Sequence, residues 1–290
     1  MPLPPRPLDD TPEDPPELAR AHRPQFLALM LFGFTVYERP LALAAGSAID
    51  VLADLGISTH AVRSTLTRMT DRGLLTRVKH RREMFYALTA HGSAVLADGQ
   101  KAAHQPPDWP WDGEWTVLGF SLPEGQRAER HQLRSRLTWR GFGLLHNGMW
   151  IAPGQVDTEA LLSDLHLGPA VRAFIARPVP PTDSVQLIHD AFDLEAIATR
   201  YRAFVARWEH PDPTGRAKAS ALTRILLLQS EWSQIARADP RLPVSHLPPD
   251  WPAKAAHTLY HDLYRDLEPT ARQESAARTR VIDVHPDPVP

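Results

Sequence analysis

The first hundred residues alternate between apolar and polar positions in patterns that predict three helices followed by a β-hairpin. The first helix starts near Phe26 in FLALMLFGFTVYE, and the second covers SAIDVLADLG, where Ser47 opens a capping-box pattern. The third covers STHAVRSTLTRMTDRG, with Ser58 as its N-cap, and it places Val62, Leu66 and Met69 on one inward stripe. The segments LLTRV and MFYALT, joined by KHRRE, predict two strands.

A different pattern covers residues 115–177. Strand and helix signals follow there in the order β-α-β-β-α-β, which is the ferredoxin-like arrangement, and its hairpin turns at Asn147-Gly148. Apolar positions in the remaining chain recur with helical spacing, which predicts an all-helical region. Its three long periodic segments are 184–208, 215–238 and 252–267.

These patterns predict an α+β multidomain protein whose domains are separated by proline-rich segments such as HQPPDWPWDG and RPVPP. We expect disordered tails at both ends, because proline removes backbone donors and little there can form a core. The predicted divisions are a proline-rich tail at 1–25, a winged helix-turn-helix domain at 26–105, a ferredoxin-like domain at 106–182, a helical C-terminal domain at 183–277 and a tail at 278–290.

Composition changes this picture in three ways. The chain has no cysteine, which excludes disulfides, thiolate catalysis and cysteine-ligated zinc and fits a reducing cytoplasm. The apolar run at Phe26–Phe34 is too short for a membrane helix and lacks a following cleavage site, so we expect neither a membrane segment nor a signal peptide. Because the formal charge is only −2, a nucleic-acid partner would have to be held by a local basic patch.

Such a patch lies in the third helix and the hairpin. Between Ser58 and Arg82 there are seven Arg or Lys residues and one acid, Asp71. Two helices joined by the tight LGIS turn match helix-turn-helix geometry, and a basic hairpin tip can lie along phosphates as a wing. A solvated amphipathic helix with an exposed basic turn would give a similar pattern. The residues that we expect to contact double-stranded DNA are Thr59, His60, Arg63, Ser64, Thr67 and Arg68 on the helix, and Lys79, His80, Arg81 and Arg82 at the hairpin tip.

With those residues in view, the chain resembles the PaaX family of bacterial repressors, which control phenylacetic acid degradation. The resemblance lies in LGISTHAVRSTLTRMTDRGLL and FYALT, in EWTVLGFSLPE and LRSRLTWRGFGLLHNGMWIAP, and in DPRLPVSHLPPDWP. It implies a winged helix-turn-helix domain, a Cas2-like ferredoxin-like middle domain and a helical C-terminal domain. It also implies a homodimer on a palindromic operator, released when an aryl-acetyl-CoA, typically phenylacetyl-CoA, binds. The family hairpin often reads Arg-Gly-Arg, whereas this one reads HRREM and has no glycine.

An acyl-CoA effector would need cations for its phosphates and an apolar slot for its acyl group. Basic residues recur along the predicted helix of the middle domain, and aromatic residues follow it in sequence. A solvated basic helix face and ordinary core aromatics would explain the same residues, so the acyl-CoA expectation rests on the resemblance. The candidate effector site consists of Arg134, Arg136, Trp139, Arg140 and Trp150, and no resident cofactor is expected.

Three other functions compete with DNA binding. A Cas2-like nuclease would need carboxylates to hold Mg²⁺, but Ser121 stands where Cas2 nucleases carry an aspartate. His257 and His261 stand one helical turn apart without a further zinc ligand in the sequence pattern, so neither a metal site nor a catalytic residue is predicted. A protein-interaction scaffold would use the winged helix to dock a protein. DNA binding would differ from it by weakening steeply with salt.

Overall fold

The computed structural model describes residues 24–123, 125–146, 148–162, 165, 167, 170–210 and 219–284. The chain divides into two compact units, which we call unit 1 (residues 1–93 with 275–290) and unit 2 (residues 94–274). Most of the two predicted tails, 1–23 and 285–290, lies outside the described residues. Within the described ranges, no helix is both long enough and apolar enough to cross a membrane.

Helices and strands are mixed along the described residues, as expected for an α+β protein. In chain order they are α1 (Pro24–Thr35), β1 (Leu41–Ala44), α2 (Ala45–Ala53), α3 (Thr59–Asp71), β2 (Leu75–His80), β3 (Glu83–Leu88), α4 (Ala90–His104), β4 (Trp115–Phe120), α5 (Arg127–Trp139), β5 (Gly143–His146), β6 (Met149–Pro153), α6 (Thr158–Leu162), β7 (Val171–Ala176), α7 (Ser184–Ala191), α8 (Leu194–Glu209), α9 (Ala221–Ala238), a 3-10 turn (Val244–His246), α10 (Ala253–Arg278) and β8 (Val281–Asp283).

The core of unit 1 forms where α1, α2 and α3 pack together. Helix α1 is apolar almost all round, and its Leu27 and Leu31 are fully buried. Helix α3 buries Val62, Leu66 and Met69, so the predicted inward stripe is confirmed. This stripe fixes which side of α3 faces outward.

A four-stranded antiparallel sheet completes unit 1, with the strand order β2-β3-β1-β8. The β2-β3 hairpin was predicted, whereas β1, β8 and helix α4 were not. Val281–Asp283 pairs with β1, so this part of the predicted C-terminal tail is a strand instead. Three residues are too few to show an alternating pattern, and their pairing depends on an edge formed more than two hundred residues earlier.

The predicted cap at Ser47 is wrong. Helix α2 begins two residues earlier, after Ala44, which makes no side-chain capping hydrogen bond. The Ser47 hydroxyl instead accepts a hydrogen bond of 2.9 Å from the backbone N–H of Arg280. A partner this distant in sequence leaves no local signal. The residues around Ser47 therefore match the capping pattern, although its hydroxyl binds the C-terminal segment, which we define as residues 278–284.

In unit 2, four antiparallel strands form a second sheet in the order β5-β6-β4-β7. The elements of this region follow the sequence order strand, helix, strand, strand, helix, strand, as the patterns predicted. Leu118, Leu133, Leu137 and Trp150 lie in its apolar core. Of the predicted hairpin turn, Asn147 lies outside the described residues.

The C-terminal part of unit 2 is mainly helical, with three differences from the predicted segments. The first segment, 184–208, is divided between α7 and α8, because Phe192 is extended and Asp193 caps α8 with its carboxylate. The second segment, 215–238, corresponds to α9, which begins only at Ala221, and residues 215–218 lie outside the described residues. The last segment was expected to end at Leu267 but continues as α10 to Arg278. Capping by Asp193 explains the division, since a capping side chain favours a new helix start over a continuous helix.

Candidate nucleic-acid interface

Two local features fix the start of α3. Gly56, in the connection from α2, has a φ of 79°, in the left-handed region that glycine adopts most easily. Ser58 then caps α3, because its hydroxyl accepts a hydrogen bond of 3.3 Å from the backbone N–H of Ala61. The predicted cap at Ser58 is therefore confirmed, and α3 follows α2 after a short turn.

The side of α3 opposite its buried stripe is polar and open to solvent. Arg68 lies along this side, where its guanidinium donates to Ser64 Oγ at 2.6 Å and to Thr65 Oγ1 at 3.0 Å. A guanidinium has five N–H donors, so donors remain for a partner outside the chain. We call this surface the polar face of α3. Its predicted members are the exposed Thr59, His60, Arg63, Thr67 and Arg68 and the half-buried Ser64.

The second predicted group of residues lies at the hairpin tip, which we define as Lys79–Arg82. All four of its side chains are exposed. His80 pairs with Glu83, so the turn consists of Arg81 and Arg82 alone and is shorter than the predicted KHRRE connection. Arg81 has a φ of 55°, so an arginine holds the left-handed conformation here without the help of glycine. The tip thus projects two adjacent arginines into solvent.

Two further cations of the basic patch stand beside the polar face, although they were not among the residues expected to contact DNA. Arg77 of β2 is exposed and donates to Thr67 Oγ1 at 3.5 Å. Arg72, just after α3, is also exposed and donates to Gln25 Oε1 at 2.8 Å. Strand alternation could have identified Arg77, because residues two apart share a face and Lys79 was already selected. The set of cations available for DNA contact is therefore larger than the predicted one.

The candidate effector residues occupy different environments. Arg134 and Arg140 are exposed, while Arg136 is half-buried and donates to the Leu161 carbonyl at 3.3 Å. Trp150 is 5% exposed and packs in the apolar core of unit 2. The side chain of Trp139 lies outside the described residues. Trp150 therefore contributes to the core, and the acyl-CoA site stays a prediction.

The two histidines of α10 are close together. His257 Nε2 and His261 Nε2 are 3.1 Å apart, and the ring of His104 lies 5.3 Å from that of His261. Burial, followed by the influence of His257 and His104, lowers the pKa of His261 to about 4. Among the described residues, no group of three or more His, Cys, Asp or Glu side chains is arranged to hold a metal ion.

A partly buried polar network lies in the segment DPRLPVSHLPPDWP, for which the sequence predicted no function of its own. Tyr201 donates to Asp239 Oδ2 at 2.5 Å, and the backbone N–H of Arg241 donates to Asp239 Oδ1 at 2.8 Å. The Arg241 side chain donates to the carbonyl of Ala102 at 2.9 Å, and its own carbonyl accepts from Trp109 Nε1 at 3.0 Å. Burial raises the pKa of Asp239, and these hydrogen bonds oppose that rise. The network joins separate segments of unit 2 and serves its stability.

Comparison with known proteins decides the family. Three family descriptions match in order along the chain: PaaX-like protein over residues 23–92, PaaX protein central Cas2-like domain over 108–188, and PaaX-like protein C-terminal domain over 192–277. The chain belongs to the PaaX family of transcriptional repressors. The matches cover both α3 and the hairpin tip, and the last of them ends at residue 277.

Two relatives extend this assignment. The transcriptional repressor PaaX of Escherichia coli (strain K12) is 25% identical over 253 residues, which are 83% of this chain and 79% of that protein. Among solved structures, an uncharacterized protein from Mycobacterium tuberculosis is 25% identical with a TM-score of 0.58, and the match covers 86% of this chain and 96% of that one. Homology to a PaaX repressor supports a non-enzymatic regulatory role. The Cas2 likeness of the middle domain is a likeness of fold.

Proposed function

We propose that this PaaX-family chain represses transcription by binding operator DNA through a winged helix-turn-helix domain in unit 1. In this proposal α3 enters the major groove and the hairpin tip follows the phosphate backbone as the wing. The observation that carries the proposal is the exposure of the hairpin tip and of the polar face of α3, where Ser64 alone among the predicted members is half-buried. The opposite side of α3 is fully buried. Cations held in solvent in this way are available to a polyanion.

The side chains on α3 suit a groove. Ser64 and Thr67 are short and allow close approach, while Arg63 and Arg68 are long enough to reach base edges or phosphates. Arg68 is already held in place by Ser64 and Thr65, so less side-chain freedom is lost on binding. At the tip, Arg81 and Arg82 supply charge without base selectivity.

The finer parts of the proposal follow from the family. A homodimer on a palindromic operator would place two α3 helices about 34–36 Å apart, one turn of DNA. We propose that the middle domain is ferredoxin-like, in keeping with its strand order β5-β6-β4-β7, and that an aryl-acetyl-CoA such as phenylacetyl-CoA binds this region. The effector would lower DNA affinity by binding the DNA-free state more tightly. The exposed Arg134 and Arg140 are candidates for its phosphates, and such a regulator would act in the cytoplasm.

The test is fluorescence anisotropy with the DNA upstream of the chain's own gene, alongside a mixed-sequence duplex of equal length. We expect the double variant R63A/R68A to weaken binding by at least roughly 30-fold, since each lost contact is worth about 1–3 kcal/mol. Both arginines are exposed, so thermal stability should change little.

The matched control is R200A/R202A, which removes two exposed arginines from α8. It should leave the affinity close to that of the wild type. Equal affinity of R63A/R68A and the wild type would contradict the proposal. Tight binding to a protein partner with no measurable DNA binding would favour the scaffold alternative.

A further inference from the structure

An open groove lies beside the hairpin tip because β1 is shorter than β3. The last residue of β1, Ala44, pairs with Phe85, so Glu83 and Met84 extend beyond it without a partner on β1. The space that remains is about 690 Å³, with Phe85 among its lining residues. The other lining residues are His80–Glu83 on the hairpin side and Thr279–Ile282 on the C-terminal side.

The C-terminal side of this groove is fixed in position by the backbone of Arg280. Its N–H donates to Ser47 Oγ at 2.9 Å, and its carbonyl accepts from the N–H of Ala44 at 2.9 Å. Ser47 is buried, so this attachment is shielded from water. The start of β8 is thereby held against the strand that precedes α2.

The Arg280 side chain reaches from this fixed backbone toward the hairpin tip. Its guanidinium forms an ion pair with Glu83 and lies 6.0 Å from the centre of the Phe85 ring. The side chain remains 62% exposed, and that of Glu83 is 52% exposed. An ion pair this exposed contributes little stability, so its partner can be exchanged at low cost.

The charges around the groove favour an anion. Arg81 and Arg82 stand on one side and Arg280 on the other, against the single carboxylate of Glu83. Guanidinium groups match the geometry of phosphate oxygens and can bind them through two parallel hydrogen bonds. The groove adjoins the hairpin tip, which already has a proposed role on the phosphate backbone.

We infer that Arg280 is a DNA-binding residue, and that the C-terminal segment supplies a third arginine to the phosphate-binding surface at the hairpin tip. The inference rests on the proposed function, since it names a further contact to the same partner. A backbone phosphate replaces Glu83 as the partner of Arg280 when DNA binds. Arg280 lies beyond residue 277, where the last family match ends.

The experiment measures the affinity of the full chain for a mixed-sequence duplex about three helical turns long, between about 50 and about 200 mM NaCl. We expect R280Q to reduce the slope of log affinity against log salt by about 1, because one phosphate contact is lost. Arg280→Lys keeps the charge and should keep the slope. An inactive fraction that does not vary with salt shifts log affinity by a constant and leaves the slope unchanged, and circular dichroism at both salt concentrations checks that the folded fraction is constant.

The matched control is R278Q. Arg278 belongs to the same segment, but its guanidinium pairs with Asp54 at 2.7 Å and it does not line the groove. R278Q should leave the slope unchanged. If R280Q and R278Q give the wild-type slope while the wild type binds DNA, the inference is wrong and the proposed function stands. If the wild type itself shows no salt-dependent binding, the proposed function fails first.

A double-mutant cycle tests the exchange of partners. Glu83→Gln removes the competitor of the phosphate, so the variant should bind DNA more tightly than the wild type. Part of the increase in DNA affinity comes from removing a negative charge near DNA, and this part should persist when Glu83→Gln is combined with R280Q. The rest of the increase in affinity should be absent from the double variant, because it requires the Arg280 guanidinium. An equal effect of Glu83→Gln in both backgrounds would overturn the proposed exchange.

Discussion

The arginines of α3 in unit 1 and Arg241 in unit 2 lie in opposite environments. On α3, Arg63 and Arg68 stand in solvent, and the hydrogen bonds of Arg68 reach only its own helix. In unit 2, Arg241 is half-buried. Its side chain and its carbonyl bond to other segments of the chain, at Ala102 and Trp109, and its N–H donates to the nearby Asp239. Exposed cations add little to folding, whereas a partly buried one must be satisfied inside the molecule. The comparison distinguishes arginines that contribute little to folding from an arginine that the fold must satisfy.

The largest change in stability is expected in the partly buried network around Asp239, and its absence would break the comparison. Asp239→Ala leaves the Tyr201 hydroxyl and the Arg241 N–H without their acceptor, so we expect unfolding to become easier by about 3 kcal/mol. For a unit of this size, the melting temperature should fall by roughly 6–12 °C. The affinity of the remaining folded protein for DNA should not change.

The control for this variant is Asp262→Ala, which breaks an exposed pair with Arg265 on α10. Calorimetry should show almost no change in its melting temperature. If Asp239→Ala melts at the same temperature as Asp262→Ala, the network does not stabilise unit 2.

A smaller effect concerns the histidines of α10. Burial, His257 and His104 lower the pKa of His261 to about 4 in the folded protein, whereas an unfolded histidine titrates near 6.5. The unfolded chain therefore takes up protons first as the pH falls. This contribution to stability is fully present above about pH 6.5 and is lost progressively toward pH 4.

Urea unfolding at several pH values would measure this loss. His261→Gln should make the decline in unfolding free energy shallower, whereas His189→Gln, at an exposed position on α7, should leave it unchanged. If the unfolding free energy of the wild type and of His261→Gln declined identically with falling pH, protonation of His261 would not contribute to the loss of stability.

The smallest expected effect is at the hairpin tip and concerns stability alone. Arg81 holds a φ of 55°, which costs a non-glycine residue up to about 1–2 kcal/mol. Arg81→Gly removes that cost but adds freedom to the unfolded chain, so we expect a net stabilisation of about 0.5 kcal/mol.

Arg82→Gly is the matched control, because it removes the same charge from the neighbouring position, which is not among the positive-φ residues. It should destabilise the protein by about 0.5–1 kcal/mol. Urea unfolding of both variants gives the comparison, and stabilisation by Arg82→Gly with destabilisation by Arg81→Gly would contradict the assignment of strain.

Features set by neighbouring residues could be predicted from the sequence. The buried stripe of α3 and its cap at Ser58 depend on local spacing, and both are present. Features that depend on distant partners could not. Ser47 has the pattern of a helix cap, but its hydroxyl binds the backbone of Arg280. Trp150 was a candidate for the acyl-group slot from its place in the sequence, but it is buried in the core of unit 2. Arg280 lies in a segment whose sequence is typical of a tail, and the strand that follows it forms by pairing with the edge of β1.

The central claim is that the exposed cations of α3 and the hairpin tip bind DNA phosphates. The salt dependence of wild-type DNA affinity tests it most directly, because each phosphate contact contributes roughly −0.9 to the log–log slope. The account expects a slope of roughly −3 or steeper, made shallower in R63A/R68A. An affinity that does not change with salt would contradict it.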